Sequence, residues 1–326
     1  MYKILLTGAS GYIGSCVYFY LKDKYNFSLL DKNKNKNFKI ILCNLNNKKK
    51  LDHILKIKKP DLVIHLAAQS LVDETINENK YILNNIKATQ NLIDSMKINS
   101  ISNIIFSSTA AVYFNKSTKI NEIDKIKPKS HYAKTKLLCE KIINNSGLNS
   151  VILRFFNVCS SLTKPKIIGE FHNPETHLIP TLVYKNKLRK KIFIYGNNFK
   201  TLDGTCIRDY IHIKDISSAI DKSIHFLKSK KNKTSTILNI GGENKLTNLQ
   251  VLKKVNKITQ IDSKYDIIQK RSGDVSSLTC SIAKAKKIIK WYPKFSSIDN
   301  IIKDEIKWVD YLILNKKKRT FKNYNK

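Results

Sequence analysis

The sequence predicts an α/β chain: a doubly wound parallel sheet covered by helices on both faces, joined to a smaller α+β region. Three observations point there. Short apolar runs bounded by turn residues alternate with segments of helical periodicity through the first half. The first run ends in the glycines Gly8, Gly11 and Gly14, at a strand-to-helix junction. After Asn157 the alternation stops, and a segment punctuated by Pro165, Gly169, Pro174 and Pro180 takes over.

Taken in order, the apolar runs place strands near 3–7, 27–31, 38–43, 61–66, 102–107 and 149–155, each of a length suited to a strand buried on both faces. Helices fill the intervals near 12–24, 48–58, 76–98 and 130–146. The run KNKNKN at 32–37 reads as a solvated turn. A helix near 215–228 and a strand near 236–240 look like a late return to the sheet. Residues 1–158, with a return segment near 210–240, form the expected nucleotide-binding domain, and 159–326 mainly the second domain. The terminal NKKKRTFKNYNK has too little apolar content to pack, so a mobile tail is expected from about residue 315.

Composition excludes several classes. The 326 residues are 42% apolar, enough for a substantial core. A formal charge of +35 raises the question of nucleic acid, but only five of the 60 basic residues are arginine and the lysines are scattered along the whole chain. A solvated basic surface is the expectation, with no nucleic-acid partner. The six cysteines include no CxxC pair, which argues for reduced thiols, a cytoplasmic location and no metal site. Neither a signal peptide nor the ~18 to 20 uninterrupted apolar residues of a membrane span is found.

The motifs carry the chemistry. In TGASGYIG the glycines allow a backbone to approach a pyrophosphate at a helix N-terminus, although the spacing is GxxGxxG. Asp31 closes the second strand, where a carboxylate accepts from an adenosine ribose and repels a 2′-phosphate; NAD is therefore expected over NADP. Tyr132 and Lys136 stand four apart in YAKTK, on one helix face. A phenol with a pKa of about 10 works as a base near neutrality if its anion gains about 4 kcal/mol. One cation at about 4 Å supplies that order at an effective dielectric of about 20.

With HLAA (65–68), NN (84–85), FSSTAAVY (106–113) and LRFFN (153–157) added, the chain resembles the extended short-chain dehydrogenase/reductases, a Rossmann-type family. ETHLIP (175–180), DGTCIRDYIH (203–212), NIGG (239–242) and KRSGD (270–274) narrow the resemblance to the UDP-glucose 4-epimerases within it. The resemblance implies interconversion of UDP-glucose and UDP-galactose by hydride transfer at sugar carbon 4, through a 4-keto intermediate, with bound NAD. It makes Tyr132 the acid and base at the 4-hydroxyl, has Lys136 hold the nicotinamide ribose and lower the Tyr132 pKa, and has Thr109 hydrogen-bond the sugar oxygen. The implied cofactor site comprises Gly8, Gly11, Tyr12, Ile13, Gly14, Asp31, Asn44, Leu45, Leu66, Ala67, Ala68, Asn85, Ser107 and Phe156. The implied sugar-nucleotide site comprises Asn157, His177, Leu178, Tyr195, Arg208, Arg271 and Asp274, the two arginines on the diphosphate and Asp274 on the ribose. A homodimer built from the helices near 80–97 and 130–146 is implied as well.

Some positions depart from the family pattern. Asn44 stands for the usual acidic residue, Cys43 for a glycine, Ser70 for a lysine, Thr109 for serine and Phe114 for glycine. Ala110 and Ala111 follow Thr109 where sugar-nucleotide dehydratases carry an Asp-Glu pair, which argues against dehydration. Another UDP sugar, an N-acetylhexosamine or a pentose, and a non-catalytic nucleic-acid-binding member of the family are the alternatives. Arg208 and Asp209 would, on the blander reading, be a surface ion pair, and His177 a capping or packing residue.

Overall fold

A computed structural model describes residues 1–71, 76–114, 116–172, 174–230, 232–271 and 274–315. The tail expected from about 315 lies, beyond Asn315, outside the described residues. In chain order the elements are β1 (Lys3–Thr7), α1 (Tyr12–Leu21), β2 (Asn26–Asp31), β3 (Ile41–Leu42), α2 (Lys48–Lys58), β4 (Leu62–His65), α3 (Glu78–Tyr81), a π-helical segment (Ile82–Lys87), α4 (Ala88–Ile98), β5 (Asn103–Thr109), a 3-10 turn (Ala110–Val112), α5 (His131–Asn144) and β6 (Asn149–Phe155). They continue as β7 (Asn157–Cys159), α6 (Leu178–Lys187), β8 (Ile192–Tyr195), β9 (Ile207–Arg208), β10 (Tyr210–His212), α7 (Ile213–Ser229), β11 (Ser235–Ile240), β12 (Leu246–Thr247), α8 (Asn248–Thr259), β13 (Tyr265–Ile268), β14 (Ser277–Leu278), α9 (Ala283–Ile289) and α10 (Ile298–Leu314).

Seven strands form one parallel sheet in the order β11-β6-β5-β4-β1-β2-β3. Alternate residues of the apolar runs face opposite layers, as a period of two demands. Ile4, Leu6, Leu62, Ile64, Val151 and Leu153 join the cluster that includes residues of α1 and α7, whereas Leu5, Val63, Ile104, Phe106 and Ile152 join that of α2, α4 and α5. The strand order reverses between β1 and β4, so the chains leaving their C-terminal ends diverge and open a crevice there. α7 and β11 return to the sheet late in the chain, β11 pairing in parallel with β6. The smaller region has its own core, in which Leu182 and Val183 of α6, Ile192 and Ile194 of β8, Val251 and Val255 of α8 and Ile302 of α10 are buried together.

Two elements differ from expectation. The strand expected over 38–43 is reduced to Ile41–Leu42, because the Phe38 ring packs on Tyr18 and Phe19 of α1, at centroid distances of 5.0 and 5.7 Å. The helix expected over 76–98 is divided by the wider π-helical turn. That turn carries Asn85, whose buried amide accepts from Gln69 N at 2.7 Å and donates to Thr135 Oγ1 at 3.0 Å.

Candidate active site

The crevice at the strand ends is a cleft of about 2160 Å³, and both halves of the chain line it. On the sheet side the turn after β1 is one that only glycine can make. Gly8 has φ +72°, and a Cβ there would stand 2.6 Å from Ala67 N; at Gly14 a Cβ would stand 2.1 Å from Gly8 O. The turn delivers the chain into α1 with Gly11 as N-cap, no side-chain capping bond and no acidic residue in the first turn. By contrast Ser130, Thr247 and Ser297 cap α5, α8 and α10. The positive end of α1 is therefore left to an anion. Asp31, 9% exposed at the end of β2, accepts from Ser10 N at 3.1 Å and Asn33 N at 2.9 Å, so its carboxylate borders the glycine turn. Tyr12 and Ile13 of α1, Asn44 and Leu45 after β3, and Leu66, Ala67 and Ala68 after β4 line the same cavity, as do Ser107 and Phe156. A backbone cradle that any Cβ would fill, an uncapped helix end and a carboxylate at the second strand end suit a dinucleotide such as NAD.

α5 supplies the reactive pair. Ser130 Oγ accepts from Ala133 N at 3.2 Å, fixing the first turn, which holds Tyr132; Lys136 follows one turn on. Burial pushes the Tyr132 phenol up to about 12, and a hydrogen bond with Thr109 pulls the other way. Thr109 is the last residue of β5. Lys136 is 2% exposed, with Nζ 4.1 Å from the centroid of the Phe106 ring, and burial lowers it to about 8. Desolvation is thus the first influence on each member of the pair. The sequence reading credited Lys136 with the main effect on Tyr132 because spacing reveals adjacency but not burial.

Behind the pair lies a polar layer that the sequence reading missed. His65 sits between Thr7 Oγ1 at 2.8 Å and Thr89 Oγ1 at 3.0 Å, and burial together with the Lys136 charge lowers it to about 3. Arg154 meets Glu140 of α5 at 2.6 and 2.9 Å and the Tyr113 hydroxyl at 2.8 Å, and Ser108 donates to Glu140. This pair ties α5 to β5 and β6, the strands that carry Thr109 and Arg154.

The smaller region closes the cleft. Arg208 Nη1 donates to Val275 O at 2.7 Å and Nη2 lies 3.3 Å from Asp274 Oδ1. Arg271 lies 3.6 Å from the same carboxylate, with its guanidinium 4.5 Å over the Tyr195 ring. Asn157 and His177 join these four side chains at the cavity wall. Arg208 and Asp209 are not a surface pair. Asp209 is fully buried and accepts from Gly242 N, Asn244 N and Cys280 N at 3.0 to 3.1 Å, with burial raising it to about 7.

Two expected site residues stand elsewhere. Asn85 is buried behind the cavity, where it holds the Gln69 backbone. Leu178 lines an adjoining recess of about 160 Å³ with Asn157, Cys206 and Arg208. Glu170 and His172 line the main cleft and escaped the sequence reading, although Glu-x-His followed five residues later by His177 was a visible signal.

The model of the NAD dependent epimerase/dehydratase family matches residues 4–241. The UDP-glucose 4-epimerase of Lactobacillus helveticus is 33% identical over 323 residues, covering 94% of this chain and 96% of that protein. The crystal structure of UDP-glucose 4-epimerase from Brucella ovis in complex with NAD is similar with a TM-score of 0.87 at 28% identity, over 94% of this chain and 98% of that one. The UDP-Glc/GlcNAc 4-epimerase of Campylobacter jejuni is similar with a TM-score of 0.79 at 29% identity, over 95% of this chain and all of that one.

Proposed function

The chain belongs to the NAD dependent epimerase/dehydratase family, and we propose that it is an NAD-dependent UDP-sugar 4-epimerase that interconverts UDP-glucose and UDP-galactose. The observation that carries this reading is the hydrogen bond of Tyr132 with Thr109, one turn from a buried Lys136, in the same cleft as the Gly8 cradle and the Arg208 and Arg271 cluster.

Bound NAD supplies a hydride acceptor and donor at sugar carbon 4. The rest falls to the chain. Gly8, Gly11 and the open end of α1 hold the pyrophosphate of the cofactor, and Asp31 its adenosine ribose. Tyr132 Oη takes the proton of the 4-hydroxyl and returns it, while Thr109 orients the oxygen. Lys136 holds the nicotinamide ribose and stabilises the tyrosine anion against the burial that raises it. Arg208 and Arg271 bind the diphosphate in charge-assisted contacts, and Asp274 the ribose. An anchored diphosphate with a loosely held sugar lets the 4-keto intermediate present its other face. Asn157, His177 and Tyr195 complete the anchor, with Leu178 behind them. Asn85 acts on the cofactor through the Gln69 backbone.

We place the enzyme in the cytoplasm and in galactose metabolism, and assign it a homodimer. Among the described residues no helix is long and apolar enough to cross a membrane. Ile82, Leu83 and Ile98 around α4 and Leu138 of α5 are exposed apolar side chains on the helices assigned to the dimer. Incubating the purified protein with UDP-galactose, UDP-glucose and their N-acetyl counterparts, then separating the products, tests the activity. Interconversion of the first pair is expected. Turnover of neither pair overturns the proposal, and turnover of the N-acetyl pair alone moves the assignment to that sugar, for which Leu278 of β14 lines the available space.

A further inference from the structure

A lysine buried as deeply as Lys136 needs something to replace the water it has lost. Glu140, one turn further along α5, is already bound by Arg154 at 2.6 and 2.9 Å and by Ser108. What the Lys136 ammonium does meet is the face of Phe106, with Nζ 4.1 Å from the ring centroid.

The sheet fixes that ring. Phe106 is 1% exposed in β5 and stands in register with His65 of β4 and Ile152 of β6. The His65 ring lies 5.5 Å from it, tilted by 34°. Leu92, Ile93 and Met96 of α4 and Cys139 of α5 are buried in the same cluster. An aliphatic side chain satisfies such a strand position, as Ile104 and Ile105 do beside it. Only an aromatic ring turns the negative face of a quadrupole to an ammonium.

None of the other groups around Lys136 supplies an unmatched negative charge. His65 is kept neutral by burial, and burial raises both the Tyr132 phenol and the Cys139 thiol of α5. Tyr81 of α3 donates to Leu71 O at 2.6 Å, Thr89 of α4 donates to Cys139 Sγ at 3.3 Å, and Asn85 of the π-helical segment is uncharged. Glu140 is matched by Arg154 of β6.

We infer that Phe106 is a positioning residue whose ring face keeps the Lys136 ammonium charged and in place beside Tyr132, a role that deepens the epimerase reading and rests on it for what Lys136 does in turnover.

A double-mutant cycle on cofactor-free protein reads the contact without any turnover. Urea unfolding of wild type, Phe106→Leu, Lys136→Met and the double variant is followed at about pH 6 and about pH 9.5, on either side of the value near 8 that Lys136 has in the fold. At the lower pH the lysine is charged. Phe106→Leu should there raise the unfolding constant roughly 10- to 30-fold more with the lysine present than in the Lys136→Met background, the order expected of a desolvated cation–π contact. At the higher pH the folded lysine is neutral, and the excess should vanish. A ring that only fills the core costs the same in both backgrounds at both pH values, and that result overturns the inference. If Phe106→Leu does not fold, a ring-fluorinated phenylalanine at position 106 keeps the shape and weakens the face. It should show the same pH-dependent excess in smaller measure, and its absence overturns the inference equally.

Turnover reads the consequence. Without the ring Lys136 loses its proton at lower pH, so the alkaline fall of kcat should move down by about one pH unit in Phe106→Leu, with the KM for UDP-galactose little changed. A fall that stays where it is in the wild type removes Phe106 from the catalytic apparatus. A wild type without turnover overturns the epimerase reading, and the cycle still decides whether the ring holds the lysine.

Discussion

The two walls of the cleft are built on different principles. The sheet wall is held by backbone: long parallel strands, a turn that excludes any Cβ at Gly8 and Gly14, and an uncapped helix end. The opposite wall is held by side chains, since β9 and β14 are two residues long and Arg208 is fixed by Val275 O and Asp274. The first should tolerate changed side chains but no added carbon at its turn. The second should keep its fold yet lose affinity when one charge is removed. The proposed function puts the chemistry on the backbone-built wall, where tenths of an ångström matter, and the anchoring on the other.

The largest effect is expected at Tyr132. Tyr132→Phe should lower kcat at least about 100-fold, the usual contribution of a general acid-base group, while calorimetric UDP affinity persists. Near-normal turnover would separate the chemistry from the sheet wall. Next comes Gly8→Ala, which combines a strained positive φ with contact at 2.6 Å from Ala67 N; a loss of about 2 to 4 kcal/mol in urea unfolding is expected from strain and overpacking. Wild-type stability would show that the turn accepts a side chain and the contrast between the walls fails.

Removing a charge from the other wall should act on affinity alone. Arg208→Ala or Arg271→Ala is expected to cost about 1.5 to 3 kcal/mol of UDP binding, roughly 10- to 100-fold, with unfolding midpoints little changed. Normal UDP binding in both variants would remove the diphosphate from this wall. The smallest effect concerns Lys136, held at about 8 in the fold against 10.5 for a free lysine. Between those pH values the unfolded chain binds the extra proton, so this group makes stability rise with pH across that window. Denaturation of wild type and Lys136→Met at several pH values should show a shallower rise in the variant; equal slopes would mean that Lys136 is not titrating in a buried site.

The contrast also explains what was legible in the sequence. The strands of the sheet show as apolar runs because both their faces are buried, and the glycine turn shows because only one residue type makes it. Residues 38–43 misled because they read as a strand, while Phe38 is claimed by Tyr18 and Phe19, residues remote in sequence. Asn85 was found by motif, but its place behind the cavity depends on a π-helical turn with no periodic signature. Glu170 and His172 lie in an irregular segment whose shape is set by Trp308, more than a hundred residues on. Asp209 looked like the neighbour of an arginine, and its backbone partners, Gly242, Asn244 and Cys280 among them, come from beyond residue 240.

The central claim is that one cleft takes a hydride from sugar carbon 4 and returns it to the same carbon. UDP-galactose carrying deuterium at carbon 4, incubated with the purified protein and no added cofactor, tests it by mass spectrometry of the separated product. UDP-glucose that keeps its deuterium at carbon 4 is the predicted result. Product that has exchanged the label with solvent, or substrate returned unchanged, would contradict the account.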